Sequence, residues 1–251
     1  MKLVRFIYNG REHMGELLRD NRIAIFEGNI FNHEKRAIGY CKISEIKFLP
    51  PINPSKIVCI GFNYKKHMDE IIEIATKKPT LTLKSQNAVI GHNDFIVLPR
   101  VSDRVEHEAE LGIIIKRGGY RIKNPDEYIL GYTIVNDVTA RDIEKDMVQW
   151  SASKSFPTFC PIGPCIETEL NPENLWIRCW VNNKLRQKDN TRNMLYNPFK
   201  CVEFVSRFMK LQRGDLIATG TVPGVGILKN GDVVDIKIDG IGILRNMVKS
   251  E

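Results

Sequence analysis

The chain has 251 residues, of which 43% are hydrophobic and 27% charged, a composition typical of a folded globular protein rather than a disordered or fibrous one. Its formal net charge of +7 arises from 37 basic residues spread among 30 acidic ones, without the basic runs or aromatic-interleaved motifs of nucleic-acid-binding proteins. No apolar run approaches the roughly 20 residues that a membrane helix requires, and the N-terminus lacks the apolar core of a signal peptide.

The six cysteines occur singly, with no spacing typical of a metal-binding or redox pair. Most of them fall in apolar runs, which favours buried free thiols in a reducing compartment. We therefore predict a cytoplasmic protein that binds neither membranes nor nucleic acids. Its diffuse positive charge favours encounters with small anionic substrates.

The first 31 residues contain three short strand-like runs separated by turn residues, a pattern typical of a small antiparallel meander. A proline-rich stretch at residues 50–54 then indicates a boundary. We predict a small N-terminal β-rich domain at residues 1–50 and a catalytic domain at residues 51–251.

Strands outnumber helices in the remainder of the chain. Apolar alternation predicts strands at 56–61, 88–98, 105–116, 130–137, 175–182 and 233–247, and 3.6-residue periodicity predicts helices at 64–76, 141–150 and 198–211. The predicted fold class is α+β, β-rich, and dominated by antiparallel or mixed sheet.

Carboxylates cluster in two neighbouring predicted strands. Glu106, Glu108 and Glu110 alternate along one strand and so share one face, and Asp137 ends the next strand. Ligand sets made only of oxygen suit magnesium, manganese or calcium better than zinc. Spacing alone does not select among the three glutamates, and a polar strand face gives the same pattern. His107 points to the opposite face and is predicted to be structural.

A second pair of residues has the spacing of a base and its partner. His67 and Glu70 stand three apart on a predicted helix, which places them on one face. A carboxylate that accepts one imidazole N–H leaves the other nitrogen free to act as a base, although such pairs are also common surface contacts. The glycine-rich run at 219–226 fits no phosphate-binding motif and predicts a turn beside the substrate site.

Several segments in order resemble the fumarylacetoacetate hydrolase family, from about residue 55 to the C-terminus. They are IVCIGFNYKKHMDE at 57–70, EAEL at 108–111, GYTIVNDVTARD at 131–142, KSF at 154–156 with PIGP at 161–164, and GDLIATGT at 214–221. The resemblance implies a mixed β-roll that houses one divalent metal, usually magnesium, in proteins that commonly form homodimers. The metal ligands that it implies are Glu108, Glu110 and Asp137, with Glu106 outside the set.

The resemblance also implies roles for four further residues. Lys154 resembles the family's active-site lysine, where an ammonium group supports negative charge on the substrate. Arg141 and Thr221 resemble substrate-contacting positions. Lys84 matches another family lysine and is assigned to substrate binding.

The function that the resemblance implies is cleavage of a carbon–carbon bond in a small 2-oxo acid, as in an acylpyruvate or fumarylpyruvate hydrolase. A divalent metal stabilises the enolate, and His67 with Glu70, which matches a pair on a mobile lid, activates water. The alternatives are an oxaloacetate decarboxylase, a 2-hydroxyhepta-2,4-diene-1,7-dioate isomerase and a 2-keto-3-deoxy sugar-acid dehydratase. A non-catalytic binding protein of the same fold is the alternative from another class.

One departure from the family pattern concerns the substrate pocket. Glu144 stands where many hydrolytic relatives carry glutamine. An additional acid near an anionic substrate is unfavourable unless it is protonated, paired or turned away. It could instead suit a hydroxylated sugar acid, whose hydroxyl groups donate to a carboxylate.

Overall fold

The protein is described by a computed structural model over residues 1–31, 35–70 and 79–251. Within these ranges the chain forms twenty strands and four α-helices. The N-terminal strands are β1 (Lys2–Tyr8), β2 (Arg11–Leu17), β3 (Arg22–Phe26), β4 (Ala37–Lys42) and β5 (Lys47–Phe48). The elements up to the middle of the chain are β6 (Ile57–Gly61), α1 (Lys65–Glu70), β7 (Thr80–Lys84), β8 (Val89–Ile90), β9 (Phe95–Leu98), β10 (Val105–His107), β11 (Ala109–Ile115), β12 (Ile129–Asn136), β13 (Thr139–Ala140), α2 (Arg141–Asp146) and α3 (Ser151–Lys154). The remaining elements are β14 (Cys160–Glu167), β15 (Trp176–Val181), β16 (Lys184–Asn190), α4 (Pro198–Ser206), β17 (Leu216–Ala218), β18 (Gly226–Ile227), β19 (Val233–Ile238) and β20 (Gly242–Ser250).

The N-terminal meander forms as predicted, with a fourth strand added. Strands β1 to β4 pair antiparallel in sequence order. The turn between β1 and β2 is Asn9-Gly10, with φ angles of 49° and 74°. Positive φ at both central residues is the signature of a type I′ turn, which matches the twist of the flanking strands. The strand β4 was missed by the sequence analysis.

The meander and the C-terminal part of the chain share one sheet. In the described residues its order is β4-β3-β2-β1-β14-β12-β11-β17-β6-β7, with β5 beside β1 and β8 beside β14. Most pairs are antiparallel, whereas β17 pairs parallel with β6. The predicted β-rich mixed sheet is therefore confirmed. The division at residue 50 stays a prediction, and one sheet crosses it through the β1–β14 pair.

A second sheet contacts the first and completes the core. Its described strands have the order β16-β15-β19-β20-β9, and they contact β11, β12 and β14 of the large sheet. All seven residues of β11 are buried, as expected for a strand covered on both faces. This strand carries Glu110, so the candidate site is built on a fully buried strand.

Some predicted elements differ from the observed ones. The strand predicted at 105–116 is interrupted at Glu108, and the one at 233–247 is the hairpin β19–β20. The predicted strand at 88–98 is two short strands. The helix predicted at 141–150 ends at Asp146 and that at 198–211 ends at Ser206. The helix predicted at 64–76 is observed at 65–70, and its remainder lies outside the described residues.

The elements that were not predicted, besides β4, are the helix α3 and the strands β5, β7, β13, β14, β16, β17 and β18. Strand β14 contains Pro161 and Pro164, and β16 has the polar sequence KLRQKDN. Neither sequence has the apolar alternation on which strand prediction depends.

All six cysteines are buried free thiols, as predicted. In the described part of the chain, no helix is long and apolar enough to cross a membrane.

Candidate active site

Three carboxylates converge where two central strands meet. Glu108 lies between β10 and β11, Glu110 is on β11, and Asp137 directly follows β12. The backbone N–H of Asp137 donates to the carbonyl of Glu108 at 2.9 Å, which holds the strand ends together. One carboxylate oxygen from each residue lies within 4.8 Å of the others, and all three residues are buried. The predicted convergence of these three side chains is therefore observed.

Glu106 lies outside this cluster, so the geometry favours Glu108 and Glu110 among the three glutamates that spacing left open. Its carboxylate accepts from Arg104 Nε at 2.7 Å and from Arg141 Nε at 2.8 Å. The strand is interrupted between Glu106 and Glu110, so simple alternation does not hold across Glu108.

The three carboxylates differ in their electrostatic surroundings. Burial raises the pKa of Glu108 and of Asp137, but the nearby ammonium of Lys154, together with Arg141 or Lys84, outweighs burial and lowers both.

Glu110 has the opposite balance. Burial and the charges of Asp137 and Glu108 raise the pKa of Glu110 well above its ordinary value, although the backbone N–H of Gly220 donates to it at 2.7 Å. Among the described residues no cation forms an ion pair with Glu110, and a buried carboxylate of this kind beside two others is a donor set that fits a divalent cation. The residues present therefore fit a metal ion.

Lys154 lies at the end of α3 and is buried against the carboxylates. Its ammonium donates to Glu108 Oε2 at 3.0 Å, Asp137 Oδ2 at 2.7 Å and Thr139 Oγ1 at 2.8 Å. Burial alone would lower the pKa of Lys154, but Asp137 and Glu108 raise it well above its ordinary value. Lysine has three donors, and all three are used, so the charge acts on the cavity mainly by holding these acids.

Lys84 is buried on the other side of Asp137. Its ammonium forms an ion pair with Asp137 and donates to the carbonyls of Val138 at 3.1 Å and Phe159 at 2.5 Å. The described residues that line the cavity do not include Lys84. Its assignment to substrate binding stays a prediction, and the observed contacts point instead to holding Asp137 in place.

A cavity of about 660 Å³ opens over the three carboxylates. Apart from Lys84, it brings together the site residues predicted from the sequence and adds several others. The lining includes Cys59, Phe62, His67, Glu70, Arg104, Glu106, Glu108, Glu110, Asp137, Arg141, Glu144, Lys145, Met147, Trp150, Lys154 and Thr221. It thus combines a candidate metal site, a candidate base and several cations in one space.

The predicted His67–Glu70 pair is present on α1. His67 Nδ1 lies 3.4 Å from Glu70 Oε2, and His67 is only 5% exposed. The backbone N–H of Gly224 donates to both carboxylate oxygens of Glu70, at 3.1 and 3.2 Å. The pair is therefore fixed from outside its own helix rather than lying free on the surface.

The glycine-rich loop at 219–226 contacts both the carboxylate cluster and the His67–Glu70 pair. Gly220 donates to Glu110, and Gly224 donates to Glu70. Gly224 has a φ of +95°, and a Cβ atom there would lie 2.1 Å from the carbonyl oxygen of Arg186. Glycine is required at this position because a side chain has no space and the backbone is left-handed.

Arg141 connects the carboxylate cluster to the cavity wall. Its Nε donates to Glu106 at 2.8 Å, and its two terminal nitrogens form ion pairs with Glu108 and Glu144. Glu144, the departure noted in the sequence, is therefore paired with a cation while it lines the cavity.

Gln187, which no sequence pattern indicated, links three parts of the site. Its Oε1 accepts from the backbone N–H of Ala109 at 3.0 Å and lies 2.8 Å from His107 Nδ1. Its Nε2 donates to Thr221 Oγ1 at 2.9 Å and to the carbonyl of Val222 at 2.6 Å. His107 is buried here, in keeping with the predicted structural role. A single glutamine in a polar run does not indicate a functional residue. The only available clue was that it lies between charged residues, as a buried position in a half-exposed strand can.

Comparisons with known proteins agree with this architecture. Residues 56–249 match the family model described as fumarylacetoacetate (FAA) hydrolase C-terminal. The chain is 41% identical over 220 residues to a mitochondrial oxaloacetate tautomerase from Xenopus laevis, covering 82% of this chain and 69% of the relative.

Two solved structures show the same fold along the chain. A 5-carboxymethyl-2-hydroxymuconate delta-isomerase from Mycobacterium smegmatis has a TM-score of 0.93 at 35% identity, with 100% of both chains covered. A maleylpyruvate hydrolase from Sphingobium sp. SYK-6, in complex with manganese(II) and pyruvate, has a TM-score of 0.84 at 28% identity, covering 100% of this chain and 99% of that one. The chain therefore belongs to the fumarylacetoacetate hydrolase family.

Proposed function

We propose that the protein is a divalent-metal-dependent tautomerase, which moves a proton between C3 and the C2 oxygen of a small 2-oxo acid. The observation that carries this proposal is the His67–Glu70 pair, which lines the same cavity as the three clustered carboxylates. The name of the Xenopus laevis relative supports the reaction type. The conclusion replaces hydrolysis as the leading interpretation because the tautomerase relative is 41% identical to this chain, whereas the maleylpyruvate hydrolase is 28% identical.

Glu108, Glu110 and Asp137 would hold the cation, with magnesium or manganese best suited to three carboxylates. When bound, the ion would act as a Lewis acid that withdraws electron density from the C2 carbonyl and so acidifies the C3 hydrogens. The manganese in the maleylpyruvate hydrolase structure supports this assignment.

His67 would carry the proton. With its Nδ1–H directed to Glu70, its Nε2 has a lone pair that can accept a hydrogen from C3 of the substrate. The carboxylate of Glu70 then stabilises the imidazolium, and the same nitrogen returns the proton to the C2 oxygen. The proton lost by carbon is thus gained by oxygen, and no other reactant is consumed.

The remaining side chains would orient the substrate and balance its charge. The ammonium of Lys154 keeps Glu108 and Asp137 ionised and in position. Thr221 lines the cavity, and its hydroxyl group donates to the carbonyl of Ala109 at 3.2 Å and accepts from Gln187 at 2.9 Å, which fixes its position. Positioned groups of this kind lower the barrier without moving during the reaction.

Hydrolysis of an acylpyruvate-type carbon–carbon bond is the second candidate. The specific observation that favours it is again the His67–Glu70 pair, since a base that accepts a proton from carbon could also accept one from water. The likeness to the maleylpyruvate hydrolase supports this candidate. The homodimer and the cytoplasmic location stay predictions of the sequence analysis.

The test mixes the purified protein and magnesium or manganese with the enol form of oxaloacetate or with an acylpyruvate. Three readouts are followed together: the ultraviolet absorbance of the enol, the release of pyruvate and the release of carbon dioxide. The proposal predicts accelerated loss of the enol absorbance without release of pyruvate, and no acceleration by Asp137→Asn. Stoichiometric pyruvate from the acylpyruvate would favour hydrolysis instead, and carbon dioxide from oxaloacetate would indicate a decarboxylase.

A further inference from the structure

The pairing of Arg141 makes one wall of the cavity unusual for an anion-binding site. Arg141 is buried and contacts the carboxylates of Glu106, Glu108 and Glu144 together. A free guanidinium recognises a carboxylate through two parallel hydrogen bonds. Three protein carboxylates already surround this one cation and use three of its five N–H groups, so the charge of Arg141 is compensated before a second carboxylate of the substrate arrives.

Glu144 keeps hydrogen-bonding capacity after this pairing. Its Oε2 contacts Arg141, and its side chain is 13% exposed while lining the cavity. Within the described ranges, its Oε1 has no hydrogen-bond partner. A carboxylate oxygen accepts hydrogen bonds and donates none, so this wall presents an acceptor to the substrate.

The formal charge of the cavity leads to the same conclusion. Among its described lining residues, six carboxyl groups face four arginine or lysine side chains, an excess of two negative charges. One divalent cation would balance that excess. Lys84, buried behind Asp137, then adds one positive charge, which matches a substrate with a single negative charge. Glutamine at position 144 would remove one negative charge, so the cavity would then carry two positive charges and match a substrate with two negative charges.

We propose that Glu144 selects 2-oxo acids whose far end is an uncharged hydrogen-bond donor, such as an amide or a hydroxyl group, over those that end in a second carboxylate. The inference rests on the proposed function, because it concerns the substrate of the same cavity. It separates this chain from the substrate in the name of its oxaloacetate tautomerase relative, since oxaloacetate is a dianion. Like charges in a partly desolvated cavity repel, whereas a donor group would bond to the free oxygen of Glu144.

The test compares two substrates of equal length, oxaloacetate and its 4-amide, 2-oxosuccinamate. They share the 2-oxo carboxylate and differ only in carrying a carboxylate or an amide at the far end. With magnesium present, kcat/KM is measured for exchange of the C3 hydrogens in D2O, and Kd is measured from intrinsic fluorescence, to which Trp150 in the cavity wall contributes. Each is determined for the wild type, Glu144→Gln and the exposed control Glu27→Gln.

The wild type is expected to favour the amide, and Glu144→Gln is expected to shift the ratio of the two substrates toward oxaloacetate by about tenfold or more, in both kcat/KM and Kd. Glu27→Gln should leave the ratio unchanged. A wild type that prefers oxaloacetate would overturn the inference. So would an equal loss on both substrates in Glu144→Gln, because this is the result of a residue that only holds Arg141.

The two proposals fail in different ways. The expected Kd ratio without C3 exchange on either acid supports the selectivity and contradicts the tautomerase. Exchange on both acids with an unchanged ratio in Glu144→Gln supports the tautomerase and contradicts the selectivity.

Discussion

The floor and the rim of the cavity are built in different ways. The cavity floor comprises Glu108, Glu110 and Asp137, on central strands or at their ends, together with Lys154 at the end of α3 and Lys84, which is buried behind Asp137. The four of these that form ion pairs have side chains no more than 6% exposed.

The cavity rim comprises His67, Glu70 and Glu144, on the short helices α1 and α2. Its contacts are longer or more exposed, with 3.4 Å between His67 and Glu70 and a Glu70 side chain 41% exposed. Charges on the floor interact strongly because water is excluded, whereas the rim meets solvent and can adjust to the substrate. We expect the floor to determine whether the reaction occurs and the rim to determine its rate and its substrate.

The floor should be the more sensitive region, and Asp137→Asn tests it most severely. This change keeps the shape of the side chain but removes a charge that faces both Lys84 and Lys154. We expect kcat/KM to fall by about a thousandfold or more, with loss of the thermal stabilisation by manganese. The exposed control Asp126→Asn should retain both, and manganese stabilisation that survives in Asp137→Asn would contradict the assignment of the floor.

At the rim, His67→Gln should separate chemistry from metal binding. Loss of a general base is expected to lower kcat by about a hundredfold or more, whereas stabilisation by manganese should remain, because His67 is not in the carboxylate cluster. Glu70→Gln should have a smaller effect on kcat, since it removes only the partner charge. Full turnover by His67→Gln would show that the base lies elsewhere.

Gln187 lies behind both regions, and its replacement should give an intermediate effect. Gln187→Met would leave the N–H of Ala109 and the carbonyl of Val222 without their partners and release Thr221. We expect a loss of about tenfold in kcat/KM and a lower midpoint of urea unfolding. Gln86→Met, an exposed match, should change neither, and equal stability of the two variants would contradict the role given to Gln187.

The smallest expected effect is the dependence of stability and metal affinity on the protonation of Glu110 in the cavity floor. The raised pKa of Glu110 means that the metal-free folded protein keeps a proton there at a pH above 4.5, the ordinary pKa of the group, where the unfolded chain has lost it. This group therefore makes the metal-free protein less stable as pH rises from 4.5 toward its raised pKa. A divalent cation must displace the proton, so its affinity should increase with pH over the same range.

Isothermal titration of manganese in two buffers with different ionisation enthalpies measures this release. Up to one proton per bound ion is expected for the wild type and less for Glu110→Gln. Binding without proton release would show that Glu110 is already ionised in the metal-free protein.

The sequence predicted the floor better than its surroundings, for a physical reason. The sequence displays two neighbouring apolar runs that carry acids, and these runs form the paired strands β11 and β12, whereas the resemblance supplied the choice of Glu108, Glu110 and Asp137 and the roles of Lys84 and Lys154. The pairing of Glu106 with Arg141, 35 residues away, and the contact of Gln187 with Ala109, 78 residues away, depend on packing between distant elements. The periodicity of a sequence does not indicate contacts between residues so far apart in the chain. Strand β14 was also not predicted, because its two prolines are unusual in a central strand. It is held in the sheet by pairing with β1 and β12, which its own sequence does not show.

The roles of the rim residues were also predicted through resemblance. The spacing of His67 and Glu70 is equally typical of a surface contact, and the sequence does not show that Gly224 fixes Glu70 from the far end of the chain. Likewise, Glu144 was recognised as an unusual acid, but its pairing with Arg141 became evident only in the fold.

The most direct test of the central claim is the exchange of C3 hydrogens of a 2-oxo acid with D2O, followed by proton NMR with manganese removed before detection. We predict exchange that depends on a divalent cation, that falls by about a hundredfold or more in His67→Gln and that is lost in Asp137→Asn. Exchange by the wild type at the rate of buffer and free metal alone, across a panel of 2-oxo acids, would contradict it.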